Sequence, residues 1–220
     1  MGIDIPVIWF VIIVFATLMY IVMDGFDLGI GIVFSFVPNA NERDVMMNSV
    51  APVWDGNETW LVLGGAGLFG AFPLAYAVIT DALTIPLTAM LIGLIFRGVA
   101  FEFRFKATPS HQKFWDYSFV GGSLLATFSQ GIVVGAVISG FDVADRRFIG
   151  SALDWLTPFS LFCGLGLVVA YTLLGTTWLI MKSEGALQQR MRELTRHTLL
   201  ALMAVIAVVS VWTLRNWTAP

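Results

Sequence analysis

Apolar residues run through this chain in stretches of about 20, the length a helix needs to cross the hydrocarbon core of a membrane, with short polar connections between them. The pattern predicts about six spans, over residues 7–37, 59–78, 83–101, 119–139, 158–181 and 198–214. The first is long enough to tilt or to project beyond the bilayer, and Pro38, Asn39 and Asn41 stop it. A polar turn from Asn39 to Asn57 leads into the second span, and Asp81 marks a tight connection that makes the second and third spans a hairpin. No repeat period of a soluble array and no low-complexity linker interrupts the pattern. The expectation is one all-α integral membrane domain over residues 1–220, a polytopic helical bundle.

Composition agrees with the pattern. Hydrophobic residues make up 58% and charged residues 12%, against about a quarter charged in a soluble domain. The partner that surrounds the chain is therefore lipid, and the scattered basic residues with a net charge of −3 give no case for nucleic acid. Arg43, then Arg104, Lys106 and Lys113, then Lys182, Arg190, Arg192 and Arg196 follow the first, third and fifth spans. Those connections are expected on the cytoplasmic side of a bacterial-type inner membrane, with the amino terminus external. Met1 to Pro6 carries no basic leader region, so the first apolar segment is expected to be retained. Cys163 is the only cysteine, which excludes an internal disulfide and a paired-cysteine metal site.

Charges inside the apolar runs are the candidate chemistry. Asp24 and Asp27 share one face of the first helix, and an ionised carboxylate there costs at least a few kcal/mol unless paired or hydrated. Arg97 closes the third run and must pair or snorkel. Asp55, between Pro52 and the second span, either caps that helix or joins Asp24, Asp27 and Arg97 in an ion-paired cluster across the first three spans. Headgroup water at the helix end is the other setting open to Asp24 and Asp27. Trp54 and Trp60 stand at the depth of a tryptophan belt. The two histidines, His111 and His197, lie in or beside polar connections and make no convincing haem pair. Gly25 with Gly29, and Gly131 with Gly135, are spaced for close helix packing or for self-association.

Three ordered motifs carry a family resemblance. They are Met23-Asp24-Gly25-Phe26-Asp27-Leu28-Gly29-Ile30-Gly31, the run Asn48 to Trp60 containing Trp54-Asp55-Gly56-Asn57, and Phe96-Arg97-Gly98 continuing to Arg104. Together they resemble subunit II of cytochrome bd ubiquinol oxidase, including its cyanide-insensitive relatives. The resemblance implies a haem-free chain beside a subunit I that carries two b-type haems, one d-type haem and the quinol site. Quinol and dioxygen are then substrates of the complex. A structural quinone and small single-helix subunits are left open by it. It implies that Asp55 lies near a proton pathway from the cytoplasm, with Asp24, Asp27 and Arg97 as polar surroundings, and that Trp60 stands near a lateral oxygen channel. Members of the family have about eight helices in two four-helix bundles, so this chain is expected to lack the C-terminal helices. The competing reading is a proton-coupled transporter or channel using Asp24, Asp27 and Asp55.

Overall fold

The computed structural model describes residues 4–218, with side chains described to residue 215; Met1 to Ile3 of the amino-terminal start discussed above lie outside the described residues. In chain order the described residues form α1 (Ile5–Val33), continued by a 3-10 turn (Phe34–Phe36), α2 (Ala40–Val50), α3 (Trp54–Ala71), α4 (Pro73–Ala82), α5 (Thr84–Arg104), α6 (Pro109–Ser139), β1 (Val143–Ala144), β2 (Arg147–Phe148), α7 (Pro158–Lys182) and α8 (Gly185–Thr218). The helices α1, α5, α6, α7 and α8 are each long and apolar enough to cross a membrane. The architecture is an all-α polytopic membrane bundle with one small hairpin, as hydropathy predicts.

Two differences from the hydropathy reading have local causes. The second span was expected as one helix over 59–78. Instead α3 begins at Trp54, ends at Ala71, and meets α4 at a bend of 119°. Pro73 lacks an N–H and excludes the residue before it from the α region, so Phe72 takes φ −134 and ψ 61 and breaks the helix. Asp81 then falls inside α4, and α3 packs on α1 while α5 packs on α6, so the second and third spans do not form a hairpin. The second difference is α2, which occupies most of the expected polar turn. Asn39 starts it: its Oδ1 accepts from the backbone N–H of Asn41 at 2.9 Å and of Glu42 at 3.4 Å. Met46, Met47 and Val50 bury a narrow apolar stripe that a long hydropathy window averages away.

Residue pairs fix the directions of the helices. Gly25 faces Tyr171 and Gly29 faces Gly175, so α1 and α7 run parallel. Gly31 faces Ser123 while Tyr20 meets Gln130, so α1 and α6 run antiparallel. Asn57 meets Asp27 and Gly67 meets Ile13, so α3 also opposes α1. The ends of α1, α5 and α7 therefore lie together at one end of the bundle. Glycine sets the closest contacts: a Cβ on Gly29 would stand 1.8 Å from the Tyr171 carbonyl oxygen, and one on Gly131 would stand 2.6 Å from that of Cys163. Both glycine pairs noted in the sequence are thus used in packing against α7.

At the shared end of α1, α5 and α7 lies the main core, where Phe26, Phe34, Met46, Met47, Phe101 and Phe119 are buried together with Leu187 and Met191 of α8. Phe26 stacks on Trp178 at 4.1 Å, and Phe119 meets both Phe34 and Phe101 edge-on. At the opposite end β1 and β2 pair antiparallel, with Val143 opposite Phe148. Their turn places Asp145 and Arg146 at positive φ, the geometry of a tight primed hairpin turn.

Candidate functional site

Next to that core, three helices bring four charged side chains together. Asp24 and Asp27 come from one face of α1, Glu58 from the second turn of α3, and Arg97 from the C-terminal half of α5. The Arg97 guanidinium lies 3.3 Å from Asp24 Oδ1 and 3.7 Å from Asp27 Oδ2, and its Nη1 lies 3.8 Å from Glu58 Oε2. The side chains of Asp24, Asp27 and Arg97 are 0% exposed, whereas that of Glu58 is 26% exposed. Asn57 closes the group by donating from Nδ2 to Asp27 Oδ2 at 2.8 Å.

Packing explains why Arg97 stays here rather than snorkelling. Its guanidinium carbon stands 5.5 Å from the Phe101 ring and 6.0 Å from the Trp54 ring, and those two rings stack on each other. Cation–π attraction to both adds to the ion pairs. Behind it, Gly122 lets α6 approach so closely that a Cβ there would lie 2.8 Å from the Arg97 backbone nitrogen. With three carboxylates around one guanidinium, full ionisation would leave a net negative charge in a medium where charges interact strongly. Glu58 is the member of the group that reaches the surface.

The sequence-predicted residues divide accordingly. Asp24, Asp27 and Arg97 meet as expected. Asp55 does not join them: it is exposed in the first turn of α3, with Val53 at the cap position and no side-chain cap hydrogen bond. Its carboxylate is still placed favourably for the helix dipole. Glu58 and Asn57 take the place in the cluster expected for Asp55. The available signal was their spacing, since the helix starting at Trp54 turns residues 57 and 58 toward α1. Trp60 is half-buried and meets Phe15 of α1 edge-on at 5.8 Å.

A second charged network ties the polar connections together. Asp116 of α6 accepts from Arg104 Nε at 2.5 Å and from Arg43 Nη1 at 2.9 Å. Arg104 also donates to Asp44 at 2.6 Å, and Arg190 of α8 donates to Glu42 at 2.6 Å. Both Arg43 and Arg104 lie 5.3 Å from the Phe34 ring. These contacts fasten α2 across the end of the bundle, where it covers the core beside the buried centre.

The histidines are not arranged for haem. His111 is exposed with Nδ1 within 2.9 Å of Thr108 Oγ1, and His197 is exposed with Nδ1 within 2.9 Å of the Glu193 carbonyl oxygen. Neither stands in the bundle interior, so these side chains do not fit an internal haem pair.

Comparison with known proteins agrees with this architecture. The family model for cytochrome bd terminal oxidase subunit II matches residues 5–219. A cytochrome bd-I ubiquinol oxidase subunit 2 from Escherichia coli is 32% identical over 212 residues, covering 93% of this chain and 56% of that protein. A cytochrome bd ubiquinol oxidase subunit 2 from Bacillus subtilis is 31% identical over 204 residues, covering 91% of this chain and 60% of that protein. The chain thus spans just over half the length of the curated relatives it matches. The solved bd oxidase of Geobacillus thermodenitrificans contains a chain that shares the fold, with a TM-score of 0.79 and 20% identity, over 97% of this chain and 67% of that one. The match along nearly all of its residues makes this chain a member of the cytochrome bd terminal oxidase subunit II family.

Proposed function

We propose that this chain is the haem-free subunit II of a bd-type quinol:dioxygen oxidoreductase, and that it supports a haem-bearing subunit I by routing protons toward it. The observation that carries the reading is the family match over residues 5–219. Quinol oxidation supplies electrons to the haems of subunit I, and dioxygen reduction there consumes protons. This chain supplies no redox group; its residues bind and pass protons. Asp55 takes a proton at the membrane surface, Glu58 passes it inward one turn along α3, and Asp27 and Asp24 hold it beside Arg97. The graded burial of these groups, from exposed Asp55 through partly exposed Glu58 to fully buried Asp24 and Asp27, supports that order. Dioxygen enters laterally near Trp60, on the lipid-accessible edge of α1 and α3.

The basic residues support an orientation with α2 in the cytoplasm. Arg43, Arg104 and Arg190 gather at the end of the bundle where α1, α5 and α7 finish, which by the positive-inside tendency is the cytoplasmic end. The amino terminus is then external.

The native complex tests the reading. A reduced-minus-oxidised spectrum should display b-type and d-type haem bands that travel with a larger co-purifying chain. A colourless complex active in transport would replace the oxidase by a proton-coupled transporter. In the assembled oxidase, Asp55→Asn should slow quinol oxidation and proton uptake together, and unchanged rates would remove Asp55 from the route.

A further inference from the structure

Nine buried side-chain polar atoms make no hydrogen bond within the described residues, and all nine belong to six residues on α1, α5 and α6. Asp24, Asp27 and Arg97 account for part of them. The remainder are Ser123 Oγ, Thr127 Oγ1 and Gln130 Oε1, spaced along one face of α6. We propose that the seam between α1 and α6 binds a chain of internal water molecules, running from the Asp24–Asp27–Arg97 centre past Ser123 and Thr127 to Gln130 and Tyr20, and that this water carries protons. The proton-carrying part rests on the proton-routing reading above; the water site does not.

The register of the two helices puts these groups in one line. Gly31 lies against Ser123, and a Cβ on it would stand 2.0 Å from the Ser123 hydroxyl oxygen. Farther along, Gln130 Nε2 donates to Tyr20 Oη at 2.6 Å. Antiparallel helices fixed at those two contacts place Asp24 and Asp27 of α1 alongside Thr127 and Ser123 of α6. At a rise of 1.5 Å per residue the line from Asp27 to Tyr20 is about 10 Å long.

Hydroxyls elsewhere in the bundle behave differently. Thr172, Thr177, Ser139 and Thr198 each donate to the carbonyl four residues earlier in their own helix, the ordinary way a hydroxyl is satisfied in an apolar medium. Ser123 and Thr127 are 0% exposed and make no such bond. A buried polar atom without a partner is costly, and internal water making about three hydrogen bonds is the usual remedy. Three of the nine, Asp24 Oδ1 with Arg97 Nη1 and Nη2, have ion-pair partners, and the other six correspond to about two water molecules. Gln130 donates its amide to Tyr20 and keeps an Oε1 with no hydrogen bond, which makes it a positioning residue at the Tyr20 end of the chain.

The test compares two isosteric substitutions in the full assembled complex: Thr127→Val in the seam and Thr172→Val in α7, whose hydroxyl is satisfied within its own helix. Infrared difference spectra in ordinary and oxygen-18 water read internal water directly, and oxygen consumption with excess quinol reads proton delivery. Thr127→Val should remove an isotope-sensitive water band and slow turnover about tenfold, equivalent to about 1.4 kcal/mol, while Thr172→Val does neither. Thr127→Ser, which keeps the hydroxyl, should restore both signals. An unaltered water band in assembled Thr127→Val overturns the water site, and so does the lack of an isotope-sensitive band in the unsubstituted complex, a reading that needs no variant to assemble. If Asp24→Asn slows turnover but Thr127→Val does not, the proton branch fails while the proton-routing reading stands. If Asp24→Asn leaves turnover unchanged, that reading fails and the water band alone still decides the site.

Discussion

Asn57 Nδ2 reaches across from α3 to Asp27 Oδ2 on α1 at 2.8 Å, bringing a neutral donor to the buried carboxylate–arginine centre. Asn57 is 4% exposed and also faces the Met23 carbonyl oxygen at 3.4 Å. Replacing it with Leu would strip Asp27 of its neutral donor and leave a buried acceptor unsatisfied. Asn57→Leu is expected to destabilise the protein by about 1–3 kcal/mol, read as a lower midpoint in thermal unfolding of the purified complex. Asn57→Ser, which can still donate, should recover part of the loss.

Close helix contact supplies a second prediction. Gly29→Ala would set a methyl group 1.8 Å from the Tyr171 carbonyl oxygen, a backbone atom that cannot move without separating α1 from α7. Overpacking of this kind costs about 3 kcal/mol, and the variant should show reduced assembly or a sharply lower unfolding midpoint. Gly65→Ala is the control, since a Cβ at Gly65 in α3 meets nothing within 4 Å. There the alanine should stabilise the helix by about 0.5–1 kcal/mol. Equal behaviour of the two variants would refute the tight α1–α7 contact.

How much of this was legible in the sequence depends on contrast with the surroundings. Asp24, Asp27 and Arg97 stand out because a charge within an apolar run has no ordinary explanation there, and they do meet. Glu58 and Asn57 lie at the polar start of a helix, where such residues are common, so only the true starting residue of α3 reveals which way they point. For α2 the difficulty was composition: three buried apolar residues in eleven are too few to register beside spans of twenty or more. The break at Pro73 was readable from the proline itself, but the apolar residues on both sides keep hydropathy high across it. Arg104 and Asp116 read as separate interfacial charges, because their pairing depends on how α5 and α6 are closed by the connection between them.

The Arg43–Asp116–Arg104 network gives a third prediction. Asp116 accepts from both arginines, and Arg104 is 1% exposed, so Asp116→Ala would leave a buried guanidinium with Asp44 as its remaining carboxylate partner. Removing one partner of a buried pair costs about 3 kcal/mol. The loss should be felt first at α2, whose Arg43 and Asp44 are held by this network. Limited proteolysis from the α2 side should cut the variant faster between Asn39 and Val53. Glu102→Gln, which removes the exposed pair with Lys106, should leave the cutting rate unchanged.

Glu58 distinguishes proton routing from simple charge balance at the buried centre. It stands 3.8 Å from Arg97 Nη1 and is the most exposed of the three carboxylates there. Glu58→Gln keeps the shape and a hydrogen-bonding end but cannot take up and release a proton. If Glu58 passes protons from Asp55 to Asp27, turnover of the assembled oxidase should fall at least about a hundredfold, the lower end of what a positioned acid–base group contributes. Asp24 and Asp27 would still neutralise Arg97, so stability should change by less than about 1 kcal/mol, the range of a partly exposed ion pair. Glu58→Asp, with a shorter but titratable side chain, should retain more activity than the glutamine. A glutamine variant with full turnover and lowered stability would instead make Glu58 a counter-charge for Arg97 and leave the buried aspartates to another point of entry.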